Sequence, residues 1–256
     1  MVNYKFPPDR IVNTDETGIS TVMQAPRVIS ETGKKQMGQC FSLERGTLVT
    51  FCGIITATGI TIPPLYVYPR VRMKDHLLYG IVPGAVGYAT KSGWMSTAVF
   101  VKLLEHIHKH MPSTRENPVL LLVDNHETHV SLDAINYCRE HGIVMLSFPP
   151  HCTHRMQPLD IGVYSPFKAR CKSSFNDFIL SNPGKAITIY DIASLTAQPY
   201  LLSFTPVNIT KAFEKAGIWP VNSLNFDDSD FAGVLTYGPS TSLRVENSTN
   251  NTFCGF

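Results

Sequence analysis

The chain has 256 residues, with 22 Lys and Arg against 20 Asp and Glu, a formal charge of +2. Hydrophobic residues make up 43% and charged residues 16%, which is enough apolar material for one large core and excludes intrinsic disorder, a histone-like basic tail and an acidic solvating domain. The six cysteines form no CxxC pair, as in a reducing compartment, and no signal-like leader or run approaching the roughly 18 apolar residues of a membrane span occurs.

In chain order, the first predicted strand is 10–15, ending at Asp15 and followed by the turn-like Glu16-Thr17-Gly18. Segments 47–58 and 61–68 are rich in β-branched residues and separated by a glycine turn, so three strands form an antiparallel meander. Pro63-Pro64 fits an edge or a strand entry. After a glycine-rich stretch, Phe100, Leu103, Leu104, Ile107 and Met111 recur at helical spacing up to Pro112. The continuous apolar run 118–123 predicts a central strand buried on both faces, ending at Asp124. Ser131 caps a helix that stops at Gly142, and 143–148 forms a fifth strand closed by Pro149-Pro150. From Asp160 onward Phe167, Cys171, Phe175, Phe178 and Ile179 mark a further helix, and 206–216 predicts another. The fold class is therefore α/β: a mixed sheet, a three-strand meander followed by alternating helix and strand, flanked by helices. Residues 1–222 are expected to form the domain, and 223–256 a loosely ordered polar tail.

Asp15, Asp124 and Asp160 each stand at the end or start of an element. Neighbouring parallel strands would bring the first two to one sheet end, and the following helix would bring the third alongside. Converging carboxylates repel one another, and hard divalent cations such as Mg²⁺ or Mn²⁺ relieve that repulsion. Two such ions serve phosphodiester chemistry. The alternative is that each Asp is an ordinary turn or cap residue, and spacing alone does not decide, because Asp133, Asp177 and Asp191 are also present.

Several strings resemble the DDE superfamily endonuclease domain of pogo, Tigger and Jerky transposases. They are Asn13-Thr14-Asp15-Glu16-Thr17-Gly18, the segment 33–38, Glu44-Arg45-Gly46 with the Thr-rich strand, Pro63-Pro64 and Ser92-Gly93-Trp94. Further along come Asp124-Asn125-His126-Glu127-Thr128-His129, then 149–160 ending Gln157-Pro158-Leu159-Asp160, then Asn208-Ile209, Phe213 and Gly217-Ile218-Trp219-Pro220. The motifs run in order over about residues 10–225. The resemblance implies a ribonuclease-H-like fold in which Asp15, Asp124 and Asp160 are the catalytic, metal-binding acids for two Mg²⁺ or Mn²⁺ ions. Metal-dependent endonuclease and strand-transfer activity on DNA at transposon ends follows, in the nucleus, with a homodimer on paired ends. All three acids are present, which favours retained chemistry. The alternative is a catalytically silent, domesticated remnant acting as a DNA- or protein-interaction module. Family members carry helix-turn-helix modules ahead of this domain. The chain starts within about ten residues of the first acidic motif, so a separate DNA-recognition module in cis or trans is expected.

Four histidines, His126, His129, His151 and His154, flank the acids. They are read as support for the metal ligands or for phosphate, with a tetrahedral zinc site or simple loop hydrogen bonding as rivals. Glu16 and Glu127 are auxiliary ligands or, more simply, solvated or ion-paired. Lys34, Lys35, Arg70, Arg72 and Lys74, with Lys168, Arg170 and Lys172, are candidate DNA-phosphate contacts against the alternative of an ordinary surface. Trp94 is expected to anchor the helix that follows it.

Overall fold

The computed structural model describes residues 5–22, 46–149 and 152–226, apart from the side chains of Thr153 and His154. Six strands form one sheet: β1 (Ile11–Ser20), β2 (Leu48–Thr56), β3 (Thr61–Pro69), β4 (Val86–Thr90), β5 (Val119–Val123) and β6 (Ile143–Ser147). Their order is β4-β3-β2-β1-β5-β6. The pairs β1–β2 and β2–β3 are antiparallel, and the pairs β3–β4, β1–β5 and β5–β6 are parallel. The helices are α1 (Thr97–His110), α2 (Leu132–Glu140), α3 (Thr153–Met156), α4 (Tyr164–Ser181), α5 (Ile192–Ser203) and α6 (Pro206–Lys215).

Strand alternation divides the core. Phe51, Tyr66, Tyr68 and Leu122 point to one face, where Phe167, Phe204 and Phe213 of the C-terminal part of the chain close over them. Val12, Cys52, Ile54, Val67, Leu121 and Val123 point to the other, against Phe100, Leu103 and Leu104 of α1 and Ala134 and Cys138 of α2. A sheet covered on both faces explains why β5 is continuously apolar. Helix starts follow their capping residues: Ser96, Ser131 and Thr205 each accept a backbone N–H from the third residue on.

The structure sharpens or departs from several expectations. Glu16-Thr17-Gly18 is not a turn, because β1 continues to Ser20 with Gly18 opposite Thr50, and Asp15 therefore lies mid-strand. An added Cβ on Gly18 would come within 2.8 Å of Leu48 Cδ1, so this glycine serves close packing between strands. The prolines of β3 lie in an interior strand, but at its start, before its pairing with β4 begins at Leu65. The glycine-rich stretch contains β4, and α5 forms despite the internal Pro199. Trp94 is 58% exposed, so it does not anchor α1; the Ser96 cap fixes that start instead.

Candidate active site

β1 and β5 run parallel, with Asn13 opposite Leu122. The pairing ends there, and Asp124 directly follows β5, two residues beyond Leu122. Asp15 lies on the face that carries α4, whereas the Asp124 carboxylate engages His129, whose ring packs on Phe100 of α1 on the other face. Asn13 fastens this arrangement. Fully buried, it donates from Nδ2 to the Leu122 carbonyl at 3.1 Å, and its Oδ1 accepts the Leu159 amide at 3.1 Å. A single side chain thus ties the strand that ends at Asp124 to the turn that carries Asp160.

That turn, Leu159–Val163, is π-helical, a rare form concentrated at functional sites. It sits hard against its neighbours, since an added Cβ on Gly162 would lie 2.7 Å from Ala212 Cβ of α6. Under it the β2–β3 register slips between Cys52 and Ile54, a bulge centred on Gly53. The Tyr164 hydroxyl donates to the Asp15 carbonyl and accepts the Gly53 amide at 3.1 Å, so the first residue of α4 fixes the Asp15 main chain. An added Cβ on Gly53 would stand 3.0 Å from the Tyr164 hydroxyl and 3.1 Å from Leu159 Cδ2. Glycine is needed here for close approach.

The charges fall into two groups. Burial pushes the Asp15 carboxyl well above the usual carboxylate range, the nearby Asp160 and Glu16 push it further, and the Gln157 side chain lying alongside only partly offsets them. Asp15 and Asp160 are therefore close enough to repel one another. Asp124 is balanced differently. Burial acts to raise its pKa, but His129 and the His126 backbone amide outweigh burial, and the net shift is downward. His129 Nδ1 lies 2.6 Å from Asp124 Oδ1, and its Nε2 lies 3.3 Å from Glu16 Oε1. Its ring packs on Phe100 at 4.3 Å. Burial alone would discharge this imidazole, but the two carboxylates prevail and lift its pKa to about 10. His129 is an imidazolium linking β1 to the end of β5.

Of the predicted residues, the structure therefore brings Asp15 and Asp160 together and sets Asp124 directly after the neighbouring strand with its carboxylate engaged by His129. Among the described residues no group of three or more His, Cys, Asp or Glu side chains is assembled to enclose an ion. His126 Nδ1 pairs with the Thr128 hydroxyl at 2.9 Å, and both ring nitrogens of His129 face carboxylates, an arrangement unlike a zinc ligand pair. His151, Lys34 and Lys35 lie outside the described residues, as does the side chain of His154.

Lys168, Arg170 and Lys172 are exposed on α4, with Lys168 about 12 Å along the chain's helical path from Asp160. Arg70, Arg72 and Lys74 are exposed just past β3, and Arg70 covers the Tyr190 ring at 5.9 Å. Glu16 pairs across to Cys52 and Cys52 to Leu65, so Arg70 lies about 17 Å further along the sheet than the acids. The two basic groups are separate.

Asn13, Gln157 and Tyr164 have no counterpart among the predicted site residues. Two of them lie inside strings already distinctive in the sequence, but their partners are remote: 146 residues separate Asn13 from Leu159, and 149 separate Asp15 from Tyr164.

Residues 48–213 match the DDE superfamily endonuclease family. The MFS-type transporter clz9 of Cochliobolus lunatus is 28% identical over 222 residues, which is 85% of this chain and 24% of that protein. The chain thus spans about a quarter of that relative, and among the described residues no helix is long and apolar enough to cross a membrane. The Mos1 strand transfer complex superposes with a TM-score of 0.50 at 14% identity, over 82% of this chain and 52% of that one. The Mos1 mariner paired end complex with Mn gives 0.45 at 12% identity, over 85% and 57%. The chain corresponds to little more than half of either transposase chain. The six-stranded mixed sheet with its flanking helices is the ribonuclease-H-like fold of transposase catalytic domains.

Proposed function

The chain belongs to the DDE superfamily endonucleases, and from that premise we propose that it is a metal-dependent DNA endonuclease and strand transferase acting at transposon ends, with Asp15, Asp124 and Asp160 as its catalytic acids. The observation that supports this reading is the nearness of Asp160, on a π-helical turn, to the buried Asp15, with Asp124 directly after the strand that pairs in parallel with β1. The donor set fits the group. Carboxylate oxygens are hard ligands, and a divalent cation would reduce the repulsion that Asp160 exerts on Asp15. Bound Mg²⁺ or Mn²⁺, two ions in this reading, supplies Lewis-acid activation and charge stabilisation for phosphodiester cleavage. Asn13 and Tyr164 hold the acids in mutual register. His129 orients Asp124 and keeps Glu16 out of the cluster. Lys168, Arg170 and Lys172, close behind Asp160, contact DNA phosphates near the reacting bond, and Arg70 and Arg72 contact more distant ones. We assign the catalytic domain to 1–222 and a polar tail to 223–256, place the protein in the nucleus, and assign recognition of a particular DNA end to a separate module. A homodimer on paired ends follows from the same reading.

A catalytically silent interaction module is the second reading, favoured by the Asp124–His129 pair, which engages one candidate ligand. Calorimetric titration with Mn²⁺ separates them. The enzyme reading expects saturable binding that Asp124→Ala weakens at least about tenfold with the fold retained by circular dichroism. Absence of binding, or binding indifferent to Asp124, refutes it.

A further inference from the structure

The end of the sheet past β3 and β4 displays aromatic and basic side chains that the acid cluster does not use. Trp94 is 58% exposed, and its indole makes no ring contact or hydrogen bond among the described residues. Its loop is nonetheless tied down. The Thr50 hydroxyl donates to the Gly93 carbonyl at 2.7 Å, and the Thr90 hydroxyl donates to the Trp94 carbonyl and accepts the Gly93 amide, both at 3.0 Å. Gly93 adopts a φ of +78°, and an added Cβ would lie 3.0 Å from the Leu48 carbonyl oxygen and from Pro69 Cβ, so the loop is seated against two strands. A flat apolar ring held out in water on a fixed main chain is pre-organised for a stacking partner. Cations and a second ring share this end. Lys91 is exposed three residues before Trp94, and the Arg70 amide donates to the Thr90 carbonyl at 3.0 Å, at the base of the loop. The Arg70 guanidinium lies over the ring of Tyr190, itself 41% exposed, and Arg72 and Lys74 are exposed beyond it. Neither 70–74 nor 91–94 contains an acidic residue. Exposed rings interspersed with cations suit unpaired nucleic acid, whose bases stack on the rings while its phosphates meet the charges; a duplex hides its base faces. We propose that this end of the sheet binds an unpaired stretch of DNA, with a base stacked on Trp94 and phosphates on Lys91 and Arg70. Arg70 lies about 17 Å beyond the acids along the sheet, so the bound stretch is a strand end leading to the reacting bond. The choice of DNA rests on the reading above, whereas the contact itself needs no metal.

Fluorescence anisotropy of the full chain in chelator, with a labelled dT oligonucleotide and a duplex of the same length, tests it. Trp94→Ala is expected to weaken single-strand binding at least about fivefold and to leave duplex binding within about twofold, and Trp94→Phe to keep most of the affinity. Wild-type tryptophan emission should be quenched by the oligonucleotide, whereas the Trp94→Phe chain, left with Trp219 as its one tryptophan, should not respond. Unchanged single-strand affinity in folded Trp94→Ala overturns the proposal. So does an equal loss on duplex, which would make Trp94 a general surface contact, or a wild-type chain that does not bind the single strand. Should Trp94→Ala fail to fold, wild-type emission indifferent to the oligonucleotide overturns it. Trp94-dependent binding in chelator upholds the proposal even where the acids cut nothing, so a failure of the catalytic reading is told apart from a failure of this one.

Discussion

Asp15→Asn is expected to stabilise the metal-free protein while abolishing its chemistry. The carboxyl is buried with Asp160 and Glu16 beside it, and its pKa is raised. The sign follows directly. An acid whose folded pKa exceeds its unfolded value, near 3.8, costs stability increasingly as pH rises from the unfolded value through the folded one. An isosteric neutral amide removes that cost. The melting temperature should therefore rise in scans without metal at pH 7. The wild type should close that gap as pH is lowered toward 4, or when Mn²⁺ is added. Nicking should fall at least about 1000-fold, since several kcal/mol of charge stabilisation goes with the ligand. A variant less stable than wild type would show that Asp15 is held by favourable contacts instead.

The second large effect belongs to His129. Its replacement by Leu leaves Asp124 and Glu16 without the imidazolium that both face, and breaking a buried ion pair from one side costs about 3–5 kcal/mol. Urea denaturation at pH 7 should register that loss. Because the His129 pKa is raised to about 10, the wild-type stabilisation is fully present below about pH 6.5 and fades as pH rises toward 10. The lowered pKa of Asp124 reports the same pair from its other side, and there the stabilisation is lost as pH falls below about 4. The deficit of His129→Leu should therefore be widest between these limits. Glu16→Gln in the same chain should recover part of it. A cost below about 1 kcal/mol would place the pair among weak surface bridges.

The sequence makes the long-range frame legible where its signal is strong and periodic. The unbroken apolar run of β5 leads directly to a strand buried on both faces, and the Ser131 cap locates α2. It misleads where a local cue competes with tertiary pairing. Glu16-Thr17-Gly18 has turn composition, yet antiparallel contact with β2 keeps it extended, and Pro199 hides α5 because its ring is accommodated within the packed helical layer. β4 is short and only half-buried, so its alternation is faint. At the site the three acids stand out as members of separate motifs. The residues that hold them do not, because the roles of Asn13 and Tyr164 come from a parallel register and a bulge at Gly53, neither of which has a local spacing. The His129 pair is half legible. The nearness of His129 to Asp124 is in the sequence, whereas its second partner, Glu16, is 113 residues away.

These features define a coherent division of labour. In the proposed reading β1 supplies Asp15, the loop after β5 supplies Asp124 and the π-helical turn supplies Asp160, and the buried Asn13 ties β5 to that turn. The central claim is that this cluster cuts DNA. Its most direct test is a nicking assay on supercoiled DNA carrying a site for a fused DNA-binding module, with Mg²⁺ or Mn²⁺ against chelator. Metal-dependent nicking near the site is expected in the wild-type fusion, with background levels in Asp15→Asn, Asp124→Asn and Asp160→Asn, all three folded. Folded wild-type fusion that leaves the DNA intact with either metal, or nicking that survives loss of any one of these acids, would contradict it.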